Sequence, residues 1–312
     1  MTQRKEPTPL AKSEISVEEA SNFFSEHYPR PIVNIEELKG GKHSKAFSYE
    51  YDGRDLVVRF STENRGFLKD KYAFEHLGMR ISIPRVIEIE TYKDLHYCIT
   101  EKVSGETARN QYNRGNFSSL PLLYDSVEDI AKDESGGIGY GYLDIDSHAP
   151  YGSSLEYINS VYESADLFDW DKIFQIKFVD KNFTDYIAEK MKYFARYTTE
   201  KKELLHGDFG ADNVFIKDGA ISGIIDWEKL RCGDHFLDMG RVLFFCPDRQ
   251  ATASAAIRFY ENKRIEHWKE RAAMGVYHVL LTNYAYAALG GNEASCMSSK
   301  TRLKELEQGL GL

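Results

Sequence analysis

Leu204-Leu205-His206-Gly207-Asp208-Phe209-Gly210-Ala211-Asp212-Asn213-Val214, with Ile224-Ile225-Asp226-Trp227 a short way on, decides the reading of this chain. Asp208 and Asn213 are five positions apart, so one rigid loop can point both side chains into one cleft. Val214-Phe215-Ile216, then Asp218-Gly219, then Ile221, Ile224 and Ile225 read as a hairpin with an Asp-Gly turn. Such a hairpin would bring Asp226 back to the same place. Phosphoryl transfer needs an aspartate to orient the attacking hydroxyl. It also needs an amide and a second carboxylate to hold Mg²⁺ on the phosphates. Asp208 is therefore the candidate catalytic residue, and Asn213 and Asp226 are the candidate metal ligands. A bare His-Gly-Asp is often only a polar turn. The trailing Asn between apolar residues and the Ile-Ile-Asp-Trp run decide against that here. His206 reads as a packed, hydrogen-bonded loop histidine, because the carboxylate two residues on already supplies a base.

The bulk numbers exclude several classes. At 312 residues the chain can bury a substantial core and hold one large or two modest domains. A formal net charge of −9 argues against a general nucleic-acid binder. No apolar run approaches the roughly 20 residues of a membrane helix, so no membrane partner is expected. Residues 1–13 read as a loose polar tail without the core of a signal peptide. Cys98, Cys232, Cys246 and Cys296 show no Cys-x-x-Cys spacing, so zinc is not expected and reduced thiols in a cytoplasm are. A monomer is expected.

The pattern along the chain is α+β, with a β-rich first lobe (14–103) and a mainly helical second lobe (104–312). Ile32 to Leu38, Phe47 to Tyr51, Leu56 to Phe60, Val86 to Tyr92 and Tyr97 to Val103 read as strands, with one helix over Phe67 to Leu77. Beyond the hinge, Leu120 to Lys132, Ser154 to Tyr162, Asp169 to Tyr197 and Ala255 to Leu289 carry helical patterns. Gly40-Gly41-x-x-Ser44 falls between the first two strands, where Gly40, Gly41 and Ser44 can offer backbone and hydroxyl donors to phosphates. It is not a Walker motif, since no Gly-Lys-Ser/Thr follows.

The chain resembles the aminoglycoside phosphotransferase family of the protein-kinase-like fold. The resemblance rests on His43-Ser44-Lys45-Ala46-Phe47-Ser48, Lys69-Asp70-Lys71-Tyr72, Ile83-Pro84-Arg85-Val86, Tyr97-Cys98-Ile99 and His206 through Trp227. Its N-terminal matches point to the hygromycin-type branch. The resemblance implies Arg59 on the α- and β-phosphates, where kinases more often carry lysine. It implies Asp70, 14 residues before Pro84, as the partner of Arg59, preferred over Glu75. Adenine would lie against backbone groups near Glu101 and Val103. The implied cofactors are ATP and Mg²⁺.

The acceptor is less defined. From Asp125 to Asp171 there are twelve Asp/Glu against one basic residue, and tyrosines are interleaved with them. Carboxylates with aromatic faces suit a small cationic polyamino sugar or aminocyclitol. The candidate substrate residues are Tyr140 and Asp144 in that segment, and Glu228, Asp234 and Asp238 beyond the metal strand. The expected activity is ATP-dependent O-phosphorylation of an aminoglycoside or aminocyclitol antibiotic, conferring resistance. A metabolic kinase of the same fold, acting on a choline-like, amino-sugar or other hydroxylated metabolite, would share every catalytic residue. A non-catalytic binding module would have no need of Asp208, Asn213 and Asp226 together.

Overall fold

The structure is a computed structural model and describes residues 15–38, 44–133, 137–165 and 167–312. The chain divides into two compact units. The first runs up to Gly105 and also takes in Ser222–Glu228; the second comprises Glu106–Ile221 and Lys229–Leu312. The sequence boundary at 103/104 assigns everything beyond it to the second lobe, and this is corrected for one segment. Ser222–Glu228 packs with the β-rich unit because its backbone is tied there: the Ile224 N–H donates to Ser82 O at 2.8 Å and the Trp227 N–H to the Asp70 carboxylate.

The first unit contains α1 (Val17–His27), β1 (Val33–Leu38), β2 (Lys45–Tyr51), β3 (Arg54–Ser61), α2 (Arg65–Leu77), β4 (Val86–Tyr92) and β5 (Leu95–Glu101). The five strands form one antiparallel sheet in the order β1-β2-β3-β5-β4. Alternation along β3 sorts its side chains. Leu56, Val58 and Phe60 are buried beside Phe23 and Phe24 of α1, Phe47, Tyr49, Tyr97 and Ile99. Arg59 alternates to the opposite face, paired in register with Ala46 and Cys98. In α2, helical spacing buries Phe67, Asp70, Ala73 and Leu77. A buried carboxylate on such a stripe needs a partner, and Arg59 is that partner.

The second unit contains β6 (Glu106–Thr107), α3 (Ala108–Asn113), α4 (Leu120–Ala131), β7 (Gly141–Tyr142), α5 (Ser154–Glu163), α6 (Trp170–Ile173), α7 (Lys181–Ala195), β8 (Glu203–Leu205), β9 (Val214–Lys217), the start of β10 (Ala220–Ile224), β11 (Arg231–Gly233), α8 (Phe236–Phe245), α9 (Arg249–Lys263), α10 (Trp268–Leu289) and α11 (Glu293–Leu310). α10 is its axis, buried along most of its length against α8 and α7. The sheet β7-β11-β8 sets Leu205, Arg231 and Tyr142 side by side. β9 turns into β10 through Asp218 and Gly219, both with positive φ, as an Asp-Gly hairpin turn requires.

Two long helical patterns are broken. The run from Asp169 to Tyr197 splits into α6 and α7 because Asp180 caps a new helix, its carboxylate accepting from the Phe183 N–H. The run from Ala255 to Leu289 splits into α9 and α10 at Arg264 and His267, both in the left-handed region.

Candidate active site

In the second unit, the loop from His206 to Asn213 is fixed at every turn. His206 is fully buried and its Nδ1 accepts from the Asp208 N–H at 3.2 Å. Gly207 has φ +83°, and a Cβ there would stand 1.8 Å from Lys229 O, so only glycine fits. The Gly207 N–H donates to both carboxylate oxygens of Asp238 at 3.1 and 3.2 Å. Phe209 is fully buried and anchors the middle of the loop. Asn213 Nδ2 donates to Asp208 O at 3.0 Å, so the backbone of Asp208 is tied to the amide five residues on.

The Asp208 carboxylate sits between two cations. Arg241 Nη2 donates to Oδ1, and Lys229 Nζ lies 3.3 Å from Oδ2. Burial pushes the carboxyl pKa up, but Arg241 and Lys229 outweigh burial and hold it well below the usual carboxylate range. Asp208 is thus a charged acceptor with lone pairs left for a hydroxyl.

In the first unit, Ser44, Arg59, Ser61, Phe67, Asp70, Asp226 and Glu228 line a cavity of about 520 Å³, counting its open mouth. Arg59 Nη2 donates to Asp70 Oδ2 at 2.5 Å, while Glu75 pairs with Lys71 at 3.9 Å. Asp70 Oδ1 accepts from the Trp227 N–H at 2.9 Å. Trp227 is buried and its indole N–H donates to Ile224 O at 3.1 Å. Asp226, between these anchored neighbours, is exposed with φ +68°. A non-glycine residue in that region stores strain, a feature that clusters at functional sites.

Residues 34–274 match the phosphotransferase enzyme family (APH). The chain belongs to that family. Hygromycin-B 4-O-kinase of Escherichia coli is 24% identical over 263 residues, covering 82% of this chain and 75% of that protein. A thermostable mutant of aminoglycoside phosphotransferase APH(4)-Ia, solved in ternary complex with AMP-PNP and hygromycin B, has a TM-score of 0.79 at 21% identity, covering 93% of this chain and 98% of that one. Wild-type aminoglycoside 2′-phosphotransferase-IIIa, solved with GDP, has a TM-score of 0.64 at 15% identity over 95% of this chain and 98% of that one. The fold is that of the kinase-like aminoglycoside phosphotransferases.

Several residues expected at the acceptor site of this phosphotransferase have other work. Tyr140 is buried, and its hydroxyl donates to Glu200 O at 2.6 Å. Asp144 closes its own turn, Oδ1 accepting the N–H groups of Asp146 and His148 at 2.9 Å each. Asp234 is fully buried and clamped by Arg271 through two hydrogen bonds of 2.9 Å. Asp238 supports Gly207 and pairs with Arg231 at 3.2 Å. Tyr140, Asp234 and Asp238 are thus buried in hydrogen bonds that hold the fold, and the half-buried Asp144 braces its own turn through Oδ1. Glu228 lines the cavity of Arg59, and its backbone carbonyl accepts from Lys69 Nζ at 2.6 Å. Of the hinge residues, the Glu101 N–H donates to Arg85 O at 3.1 Å and Val103 packs against Gly223. Gly40 and Gly41 lie outside the described residues.

Lys229 and Arg241 escape a reading of the sequence alone. A signal for Arg241 exists: it lies three residues after Asp238 on α8, and the two share a helix face. The donor atoms also suit magnesium, which takes hard oxygen ligands. With Nδ2 committed to Asp208 O, the remaining atom of the Asn213 amide is its oxygen, and Asp226 offers an exposed carboxylate. Four carboxylates, Glu63, Asp70, Asp226 and Glu228, line the cavity beside Arg59 and Arg65. A bare polyphosphate would be repelled there; one accompanied by a divalent cation would not.

Proposed function

We propose that this phosphotransferase moves the γ-phosphoryl group of ATP to a hydroxyl of an aminoglycoside or aminocyclitol of the hygromycin B type, and so confers resistance. The observation that carries this is the Asp208 loop: a charged, doubly braced carboxylate whose backbone is locked to Asn213. The named activity of the Escherichia coli relative and the ligands of the APH(4)-Ia complex support the choice of acceptor.

Asp208 accepts a hydrogen bond from the acceptor hydroxyl and sets its oxygen in line with the γ-phosphorus. The new P–O bond forms as the bond to the β-phosphate oxygen breaks, ADP leaves, and the hydroxyl proton passes late to Asp208. A loose transition state demands little of the base, so a carboxyl held far below neutral pH is sufficient. Arg59, kept straight by Asp70, neutralises phosphate charge, and Ser44 contributes a hydroxyl at the same cavity. Glu101 and Val103 lie on the strand end and linker where adenine docks. Asn213 and Asp226 are the residues that would hold Mg²⁺, which would offset the charge of the phosphates.

The test is ADP release, coupled to an optical readout, across a panel of aminoglycosides, aminocyclitols and hydroxylated metabolites. Hygromycin B or a close analogue should stimulate turnover in wild type and not in Asp208→Ala. Turnover on a metabolite with none on any antibiotic would overturn the acceptor class.

A further inference from the structure

The loop that presents Asn213 ends in a turn that is braced from outside the loop. The Asn213 N–H donates to Gly210 O at 3.0 Å and closes the turn over Ala211 and Asp212. One residue of α3 holds both of these central residues. The Arg109 N–H donates to Ala211 O at 2.9 Å. The Arg109 guanidinium donates to both Asp212 carboxylate oxygens, from Nε at 3.1 and 3.3 Å and from Nη2 at 3.0 Å. Its third nitrogen, Nη1, donates to Phe245 O at 3.1 Å. The roles assigned above leave Arg109 without a part in the chemistry.

Local structure puts Arg109 there. Thr107 of β6 lies in register with Phe215 of β9, two residues past Asn213. Thr107 then caps α3, its hydroxyl accepting from the Asn110 N–H at 3.3 Å. The segment from Thr107 to Arg109 therefore pins the chain at Phe215 and again at Ala211, with Asn213 between the two pins. Phe245 is the last residue of α8. The same helix carries Asp238, which accepts from the Gly207 N–H, and Arg241, which pairs with Asp208. Through Arg109, α8 also reaches Asp212, so one helix braces the loop at its start, at its catalytic carboxylate and at its metal end.

Asp212 and Asn213 are adjacent oxygen donors, and Arg109 divides their work. Both Asp212 oxygens are committed to the guanidinium, while the Asn213 amide keeps its oxygen for another partner. The Asp212 side chain is 67% exposed, and an ion pair so open to water adds little to stability. Its geometry is the stronger effect. A two-oxygen fork with a further bond to a helix-end carbonyl fixes the direction of the turn.

We propose that Arg109 is a positioning residue: it holds the turn at Ala211 and Asp212 so that the Asn213 amide oxygen faces the cation that accompanies the nucleotide. The assignment rests on the phosphotransferase reading above, in which Asn213 is a metal ligand, and adds the group that aims it.

The experiment follows Mn²⁺ binding to the full chain in the presence of AMP-PNP, read from the electron paramagnetic resonance signal of the free ion, beside Tm and steady-state ADP release. Arg109→Met keeps the apolar stem and loses the fork and the charge. Arg109→Lys keeps the charge, but a single nitrogen cannot span Asp212 and Phe245 O. By charge alone, removing a cation near a metal site would tighten metal binding, and the lysine variant would behave as wild type. Loss of aim predicts the reverse. Both variants should bind Mn²⁺ roughly tenfold more weakly, should need more Mg²⁺ for half-maximal ADP release by a similar factor, and should keep the acceptor KM and Tm close to wild type. Mn²⁺ affinity unchanged or tighter in Arg109→Met, or unchanged in Arg109→Lys, would overturn the positioning role. So would a lowered Tm with wild-type Mn²⁺ affinity, which marks a purely structural brace. Arg109→Lys decides alone if the methionine variant does not fold. The Mn²⁺ titration uses no acceptor, so it stands whichever acceptor is phosphorylated. A wild type that binds no Mn²⁺ with AMP-PNP would overturn the phosphotransferase reading as well.

Discussion

Asp70 ties two parts of the nucleotide-side cavity together, and its replacement separates their contributions. The residue is 7% exposed; Oδ2 accepts from Arg59 and Oδ1 from the Trp227 N–H. Asp70→Ala removes both bonds. Breaking a buried pair from one side costs about 3–5 kcal/mol. The Arg59 side chain is 22% exposed and recovers some water, which puts this loss near the low end, about 3 kcal/mol. The orphaned Trp227 N–H adds about 1 kcal/mol, for a total near 4 kcal/mol. Asp70→Asn keeps an oxygen for the Trp227 N–H and loses only the charge, so it should cost about 3 kcal/mol. The assay is urea unfolding in a background with Trp170 and Trp268 changed to Phe. Trp227 is then the sole indole, and it lies in the same unit as Asp70. Both variants should also raise the KM for ATP, because Arg59 loses the group that aims it. The reasoning fails if Asn and Ala shift the midpoint equally, or if both leave it within 0.5 kcal/mol of the parent.

Asp208→Ala should lower kcat by roughly 10²–10⁴, the range for a positioned base, with the circular dichroism spectrum retained; a near wild-type rate would remove Asp208 from the mechanism. Gly207→Ala drives a methyl into Lys229 O at a backbone angle alanine avoids, so soluble yield and activity should collapse together, whereas an active alanine variant would show that the loop can re-route. His235 bridges Glu203 at 2.8 Å and Glu128 at 3.1 Å. Burial opposes its charge, but the two carboxylates prevail and push its pKa up to about 9. A raised pKa stabilises the fold fully below the unfolded value near 6.5, and that gain is lost as pH rises through 9. Unfolding free energy should therefore fall by about 3 kcal/mol across that window, and His235→Gln should flatten the profile; a wild-type curve flat from pH 6.5 to 9 would contradict the pairing.

What was legible in the sequence is what the backbone dictates locally. The Asp218-Gly219 turn is such a case, written in the residue types that tolerate positive φ, whereas the demand for glycine at Gly207 comes from its approach to Lys229 O, which no local pattern announces. The pairing of Arg59 with Asp70 came from the family resemblance, and the structure shows its physical basis: alternation along β3 and the three-to-four spacing of α2 put the two side chains within reach of each other. Ser16-x-x-Glu19 is a complete capping box, a local mark of the start of α1. The break at Arg264 carries no such mark, since arginine is not of a type that favours the left-handed region; His267 is of a type enriched there, but a lone histidine is too weak a signal to end a helix. Acidic content alone does not say which carboxylates are free. Whether a carboxylate is free for a ligand depends on which distant cation finds it first: Arg271 takes Asp234, Arg231 takes Asp238, and His235 takes Glu128.

That last point bears on how a cationic acceptor can be phosphorylated beside so many positive charges. Arg231, Lys229 and Arg241 cluster around Asp208 and Asp238, so the immediate surroundings of the attacking hydroxyl favour the anionic phosphoryl group and disfavour an ammonium. A polyamine sugar that reacts here must turn an amine-free edge toward Asp208. Its ammonium groups must then find carboxylates on the protein surface, such as the exposed Asp146. Reaction and selection therefore ask for opposite charge in different places. The Asp208 loop, set by local backbone rules, meets the first demand. The second falls to surface carboxylates, whose freedom depends on which distant cations the fold brings to them and not on local backbone rules.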